Sequence, residues 1–301
     1  MERPALTSSL TRLLLAGLCA TALFGAARAE ETTKPFADAS RLVAVGGSVL
    51  ETVYALGEDA RLVARDTTGI FPPEAASLPD VGYMRALSPE GVLAVNPTAL
   101  LVVEGSGPPE ALDVLAQGSV PYVTVPEGYS AEGVLEKVRV VGHALGVKAK
   151  ADALVAELSA AFDAAAAVTA AIPEARRARV LFVISVQDGK VRAAGNHTAA
   201  HGIIALAGGI NPLADMQGYQ TLNDEALLEL NPDVVLTMSN SGAGDLTEQL
   251  KSNAALAATP ALRNGRMLQM DGAFLLGFGP RTPAAILELV DALYGDQVAA
   301  N

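Results

Sequence analysis

The stretch Leu87–Val102 reads LSPEGVLAVNPTALLV, and Leu222–Thr237, 135 positions further on, reads LNDEALLELNPDVVLT. The identical pairs are Leu87/Leu222, Glu90/Glu225, Leu93/Leu228, Asn96/Asn231, Pro97/Pro232 and Leu101/Leu236. Each copy starts with a helix-capping residue, continues with apolar residues at helical spacing, and passes through Asn-Pro into an apolar strand pattern. Two such units a domain's length apart predict two similar lobes with a cleft between them.

Residues 1–29 have the pattern of an export signal: a cationic start, the apolar run Leu13–Ala26, and Ala27-Arg28-Ala29 as a cleavage site. The run is shorter than the roughly 20 apolar residues of a membrane-spanning helix, which disfavours an uncleaved anchor. Cys19 raises the alternative of a lipoprotein, but Leu18 stands where that processing requires a small residue. We expect cleavage after Ala29 and a periplasmic protein.

The composition predicts an acidic domain without disulfides. The net charge is −12 at pH 7, and Cys19, the one cysteine, lies in the segment that cleavage removes. Nucleic acid and anionic membrane are disfavoured as partners because both repel an acidic surface. We expect a monomer.

Alternating strand and helix patterns predict an α/β fold of two Rossmann-like lobes with parallel sheets. We expect the lobes at residues 40–146 and 178–301, joined by one long, stiff, alanine-rich helix within residues 147–172. Ser48 is predicted to cap the first helix of the first lobe. In such sheets the ligand lies beyond the carboxyl ends of the strands, so the loops there are the candidate site.

Tyr83 is the strongest candidate ligand-binding residue in those loops. It stands in Asp80-Val-Gly-Tyr-Met-Arg85, directly before the first copy of the repeat. A phenolate is a hard anionic ligand that suits ferric iron, and tyrosine is an axial ligand in some haem proteins. Arg85 is placed to stabilise that phenolate or to pair with a carboxylate. The alternative from chemistry alone is a loop tyrosine that serves packing.

His197 and His201 stand four residues apart, the spacing that puts two imidazoles on one face of a helix as metal ligands. Two ordinary polar positions in a first helical turn are the alternative, and the spacing indicates no third ligand for a zinc site. The sequence has no nucleophile elbow, phosphate-binding loop or zinc-protease motif, so we expect no enzymatic activity.

Glu90 and Glu225 are the acidic residues that the repeat preserves. Each is predicted in a first helical turn, where the helix dipole favours a negative charge. One interpretation is this dipole contact alone, and the other is a matched pair of docking carboxylates on the two lobes.

Four stretches together resemble the periplasmic haem-binding proteins of bacterial haem ABC importers: Val43–Gly57, Val81–Pro97, Val191–Ala200 and Leu275–Pro283. The resemblance covers essentially the whole chain after the leader. It implies the class III fold of periplasmic binding proteins, capture of haem, and delivery to an inner-membrane permease and its ATPase.

The resemblance also implies roles for particular residues. Tyr83 would be the axial ligand of the haem iron, and Arg85 or Arg281 would meet the propionates. Glu90 and Glu225 would pair with permease arginines. The alternative cargo is a ferric siderophore, a corrinoid or a free metal ion.

Two features depart from that family. Many members carry an arginine in the loop after the second repeated strand, whereas residues 237–241 here read TMSNS, with no arginine near Asn240. His197 lies where some relatives offer a histidine, which makes it a second candidate haem contact, to the same haem or to another. The repeat itself is asymmetric at the site, because Gly218 occupies the position equivalent to Tyr83.

Overall fold

The computed structural model describes residues 34–118, 120–239 and 246–298. Its first lobe is a four-stranded parallel sheet in the order β2-β1-β3-β4, with the helices α1–α4. The element bounds are β1 Leu42–Val45, α1 Gly47–Ala55, β2 Leu62–Arg65, α2 Pro89–Leu93, β3 Ala99–Val103, α3 Pro109–Gln117, β4 Tyr122–Val125 and α4 Ala131–Ala144.

The second lobe is a five-stranded mixed sheet in the order β7-β6-β5-β8-β9. Its elements are β5 Val180–Gln187, β6 Lys190–Ala194, α6 Ala199–Leu206, β7 Tyr219–Leu222, α7 Asp224–Leu230, β8 Val234–Ser239, α8 Thr247–Ser252, α9 Ala254–Ala257, α10 Pro260–Arg263, β9 Met267–Asp271, α11 Gly272–Leu276 and α12 Thr282–Val298.

The helix α5, Lys148–Ala170, lies between the two sheets in the chain and packs against α4 and α12. Its 23 residues correspond to about 35 Å. Among the described helices it is the one long and apolar enough, by length and composition alone, to cross a membrane. Alanine supplies much of that hydropathy, and Leu158 and Phe162 are buried in the protein core. The helix predicted between the lobes is therefore present.

The repeat folds alike in both lobes. Ser88 and Asn223 cap α2 and α7 through side-chain oxygens that accept from the N–H three residues on. Asn96 and Asn231 have φ of 48° and 44°, the left-handed conformation that asparagine tolerates better than most residues. The strands that follow, β3 and β8, are both central in their sheets and buried.

Two expectations from the sequence were wrong. The second sheet is not wholly parallel, because β5, β6 and β7 run antiparallel. Asp188 and Gly189 both have positive φ and form the tight turn that a β-hairpin requires. Ser48 does not cap α1; it lies inside the helix, and its hydroxyl instead accepts a hydrogen bond from Lys137.

Candidate functional site

Asp66 joins the loops at the carboxyl edge of the first sheet. It is fully buried, and its carboxylate accepts from the backbone N–H of Gly46 at 2.9 Å, of Thr68 at 3.1 Å and of Met84 at 3.2 Å. The loops after β1 and β2 are thereby fixed to the segment that carries Tyr83. Asp66 was not predicted as a functional residue from the sequence; its place directly after a buried strand was the available signal.

Tyr83 is presented to solvent from this fixed edge. Gly82 has φ of 100°, which favours glycine, and its carbonyl accepts from the N–H of Thr67 at 3.0 Å. The Tyr83 carbonyl accepts from the N–H of Ala86, while the side chain stays 45% exposed. Arg85 is exposed on the same loop. A rigid backbone therefore holds out one phenol and one guanidinium.

Tyr129, in the loop between β4 and α4, brings the two lobes into contact. Its ring meets that of Phe278 from the second lobe edge-to-face, with centroids 5.3 Å apart. Its backbone lies so close to Gly202 of α6 that a Cβ there would stand 2.5 Å from the Tyr129 carbonyl oxygen. This close approach explains the glycine in α6.

Tyr219 is a further candidate functional residue, which was not predicted from the sequence. The strict spacing of 135 residues pairs Tyr83 with Gly218, but a connection one residue shorter makes Gly218-Tyr219 the counterpart of Gly82-Tyr83. Both glycines have positive φ. Burial is the main cause that raises the pKa of Tyr219, followed by the nearby hydroxyl of Tyr129, and Tyr83 adds to the rise.

The guanidinium groups of Arg85 and Arg192 oppose that rise in the pKa of Tyr219. The guanidinium carbon of Arg192 lies 5.7 Å from the centre of the Tyr219 ring. Tyr219 is therefore close to the Tyr83 loop on one side and to β6 on the other.

Lys137 is a fully buried ammonium at the contact between the lobes. Its Nζ donates to Ser48 Oγ at 2.7 Å, to Glu127 Oε1 at 3.1 Å and, across to the second lobe, to the Phe278 carbonyl at 3.0 Å. Burial lowers the pKa of Lys137 and raises that of Glu127. The attraction between the two charged groups acts against both pKa shifts.

Arg281 also joins the lobes. Its Nε donates to Glu51 Oε2 at 2.9 Å, a second nitrogen binds Oε1, and its guanidinium carbon stands 3.7 Å from the centre of the Phe71 ring. Burial raises the pKa of Glu51, and the Arg281 contact lowers it again. The propionate contact predicted for Arg281 stays a prediction, but its guanidinium already has a carboxylate partner in the chain.

His197 follows β6, is exposed, and has φ of 55°; its N–H donates to Asn196 Oδ1. His201 lies one helical turn on, with Nδ1 3.3 Å from the Asn211 amide. Within residues 34–118, 120–239 and 246–298, no group of three or more histidine, cysteine or acidic side chains is arranged to hold a metal ion. The structure thus offers no support for a dedicated metal site at the histidine pair.

Glu90 and Glu225 occupy equivalent places, exposed in the first turns of α2 and α7. Glu90 Oε2 accepts from the hydroxyl of the capping Ser88 at 2.7 Å. The loop after β8 that lacks an arginine, from Asn240 onward, lies outside the described residues.

The sequence model of the periplasmic binding proteins matches residues 42–273. The chain belongs to this family. Among solved structures, this periplasmic binding protein is similar to the periplasmic heme-binding protein BhuT in complex with two hemes, with 37% identity and a TM-score of 0.79 over 84% of this chain and 97% of that one. The apo form of the heme-binding protein RhuT from Roseiflexus sp. RS-1 shares 34% identity, with a TM-score of 0.80 over 86% and 99% of the two chains.

Two curated relatives are more distant from this periplasmic binding protein. The ABC transporter substrate-binding lipoprotein YvrC of Bacillus subtilis is 24% identical over 85% of this chain and 80% of its own length. A cobalamin-binding protein of Halobacterium salinarum is 27% identical over 74% of this chain and 59% of its own length. The periplasmic binding protein described here is thus an exported, non-enzymatic substrate-binding protein of an ABC importer.

Proposed function

We propose that this protein captures haem in the cleft between its lobes and delivers it to an ABC permease and its ATPase in the inner membrane. The observation that carries the proposal is Tyr83: an exposed phenol on a rigidly held loop, with a guanidinium two residues away. Anionic phenolate oxygen suits ferric iron, and Arg85 suits a propionate.

Exposed apolar side chains near the same loops suit a flat, apolar ligand. Ile70 and Phe71 follow β2 and are 44% and 37% exposed, and Met216, 49% exposed, lies beside the turn that carries His197. Exposed apolar side chains grouped beside a cleft, such as the consecutive Ile70 and Phe71, are typical of a surface that binds an apolar ligand. A porphyrin face provides such a cover, whereas a free metal ion does not.

A corrinoid is the second candidate, because curated relatives include cobalamin-binding proteins. An exposed tyrosine with an adjacent arginine favours haem, since haem offers both a ferric iron for the phenolate and carboxylates for the guanidinium. His197 remains a candidate second iron contact, and the resemblance to a two-haem complex supports testing for a second equivalent.

Titration of the purified protein with hemin tests the proposal. We expect a saturable Soret shift and the absorption spectrum of a high-spin ferric tyrosinate complex, with the equivalence point giving one or two haems per chain. Cyanocobalamin serves as the competing ligand. Saturable binding of cyanocobalamin without any hemin binding would replace haem by a corrinoid as the cargo.

Glu90 and Glu225 are proposed to dock the two lobes onto basic sockets of the permease. Replacing both by lysine should lower haem uptake at least about tenfold, because each reversal puts like charges together at the docking contact. The hemin affinity of the purified variant should stay unchanged. Glu110→Lys with Glu229→Lys, exposed on α3 and α7, is the matched control. Equal losses of uptake in both double variants, or a parallel loss of hemin affinity, would contradict the docking role.

We also propose that the chain is cleaved after Ala29 and released into the periplasm. The proposed domain limits are residues 40–146, 147–172 and 178–301. Mass spectrometry of the exported protein would test the cleavage position.

A further inference from the structure

Arg85 and Arg192 are exposed arginines on opposite lobes, and neither forms an ion pair in the described part of the chain. Arg85 acts on the Glu127 carboxyl only at longer range, where its charge lowers the pKa of Glu127. By contrast, Arg65, Arg139 and Arg281 form ion pairs within that part. The chain carries 33 acidic residues against 21 basic ones, so carboxylates are not scarce. Two guanidinium groups left open beside a cleft are therefore available to an anionic ligand.

Tyr219 relates the two arginines to one region of the cleft. The Arg192 guanidinium lies over its ring at 5.7 Å, and β6 and β7 fix this geometry because Ala194 pairs with Tyr219 in the antiparallel sheet. Arg85 acts electrostatically on the same phenol, as does Tyr83. Tyr219 thus lies against the Arg192 guanidinium and is close enough to the Tyr83 loop to be influenced by the charge of Arg85.

We infer that Arg85 and Arg192 bind the two carboxylates of a dianionic tetrapyrrole, one from each lobe, and that Arg192 thereby makes the site selective for dicarboxylate ligands. This inference rests on the proposed function and deepens it. It adds Arg192 as a specificity-determining residue of the second lobe. Corrinoids such as cobalamin carry amides where porphyrins carry propionates, so they gain nothing from a second guanidinium.

The chemistry of the Arg192–Tyr219 pair suits this role. A guanidinium presents paired N–H donors in a plane, which matches a carboxylate, and it stacks on an aromatic ring without losing those donors. The ring restricts the arginine before the ligand arrives, which lowers the entropy lost on binding. Because burial raises the pKa of Tyr219, its hydroxyl stays protonated at neutral pH and does not repel an incoming carboxylate.

The experiment compares hemin with hemin dimethyl ester, which keeps the iron and the ring but has no free carboxylate. Both are titrated in the same buffer with the same fraction of organic co-solvent. Wild-type protein should bind the diacid about 100-fold more tightly than the diester, roughly tenfold for each charge-assisted contact. Arg192→Gln should weaken the diacid about tenfold and leave the diester unchanged. The affinity of Arg192→Lys for the diacid should lie between those of the wild type and Arg192→Gln, because lysine keeps the charge but not the paired donors.

Arg176→Gln is the matched control, because Arg176 is an exposed arginine in the segment before the amino end of β5. Arg176→Gln should change neither the affinity for hemin nor that for hemin dimethyl ester. If Arg192→Gln weakens diacid and diester equally, or weakens neither, the inference is overturned while haem binding through Tyr83 stands. If the wild type gives no saturable Soret shift with hemin, the proposed function itself fails.

Discussion

Replacing Tyr83 by phenylalanine should weaken hemin binding by more than about 100-fold and abolish the ferric tyrosinate spectrum. Loss of a group that merely supports a metal ligand costs about 10- to 100-fold in affinity, and Tyr83 is proposed as the ligand itself. The side chain is 45% exposed and Phe keeps its ring, so the free energy of unfolding should change by less than about 0.5 kcal/mol. Hemin titration followed by absorption and urea unfolding give the two quantities.

Two further tyrosines make this prediction specific. Tyr122→Phe alters the first residue of β4, at the sheet edge away from the cleft, and should change nothing in the titration. Tyr219→Phe removes a phenol that burial keeps protonated, so the spectrum should persist with a loss of affinity below about tenfold. Wild-type affinity and spectrum in Tyr83→Phe would remove Tyr83 from the site, and loss of the spectrum in Tyr219→Phe instead would move the ligand to the second lobe.

The repeat made the fold predictable because its signals are local. A capping Ser88 or Asn223, an apolar helix face and a left-handed asparagine act within a few residues, so they can be read without knowing the tertiary structure. Because ligands of such sheets bind beyond the carboxyl ends of the strands, Tyr83 and Arg85 could then be predicted to lie in the candidate loops.

What escaped prediction depends on contacts between distant segments. Ser48 was predicted to cap a helix, but its hydroxyl instead accepts a hydrogen bond from Lys137, which is 89 residues away in the sequence. Tyr219 was hidden by a one-residue change in the repeat spacing and becomes visible only when β7 pairs with β6. The Asp188-Gly189 turn was a local signal that was overlooked, since two such residues between apolar runs favour a hairpin.

Lys137→Met should lower the free energy of unfolding by about 3 to 5 kcal/mol at pH 7, the usual cost of breaking a buried ion pair. Methionine fills similar volume, but Glu127 loses its cationic partner, and the Phe278 carbonyl loses a donor that reaches it from the other lobe. Lys150→Met is the matched control, because the Lys150 side chain is exposed and its partner Glu58 keeps Arg61 as a second cation, so the loss should stay below about 1 kcal/mol. Urea unfolding at constant m-value measures both losses.

The pH dependence separates this ion pair from simple packing. The pKa of Glu127 is raised above its ordinary 4.5, so its contribution to stability is present below that value and is lost as the pH rises through the folded-state value. Without Lys137 the pKa of Glu127 rises further, since Lys137 is the largest cause that lowers it. In the wild type at low pH, Glu127 is neutral, so it provides no charge attraction for the buried Lys137 ammonium.

The stability difference between wild type and Lys137→Met should therefore widen from pH 4 to pH 8. For Lys150→Met it should stay small throughout. A difference that is constant with pH would assign the loss to packing alone. Because Phe278 also holds the ring of Tyr129 beside the cleft, Lys137→Met should lower hemin affinity as well, while Tyr83 and its tyrosinate spectrum persist. These outcomes together would assign the buried lysine to positioning of the second lobe and Tyr83 to contact with the iron.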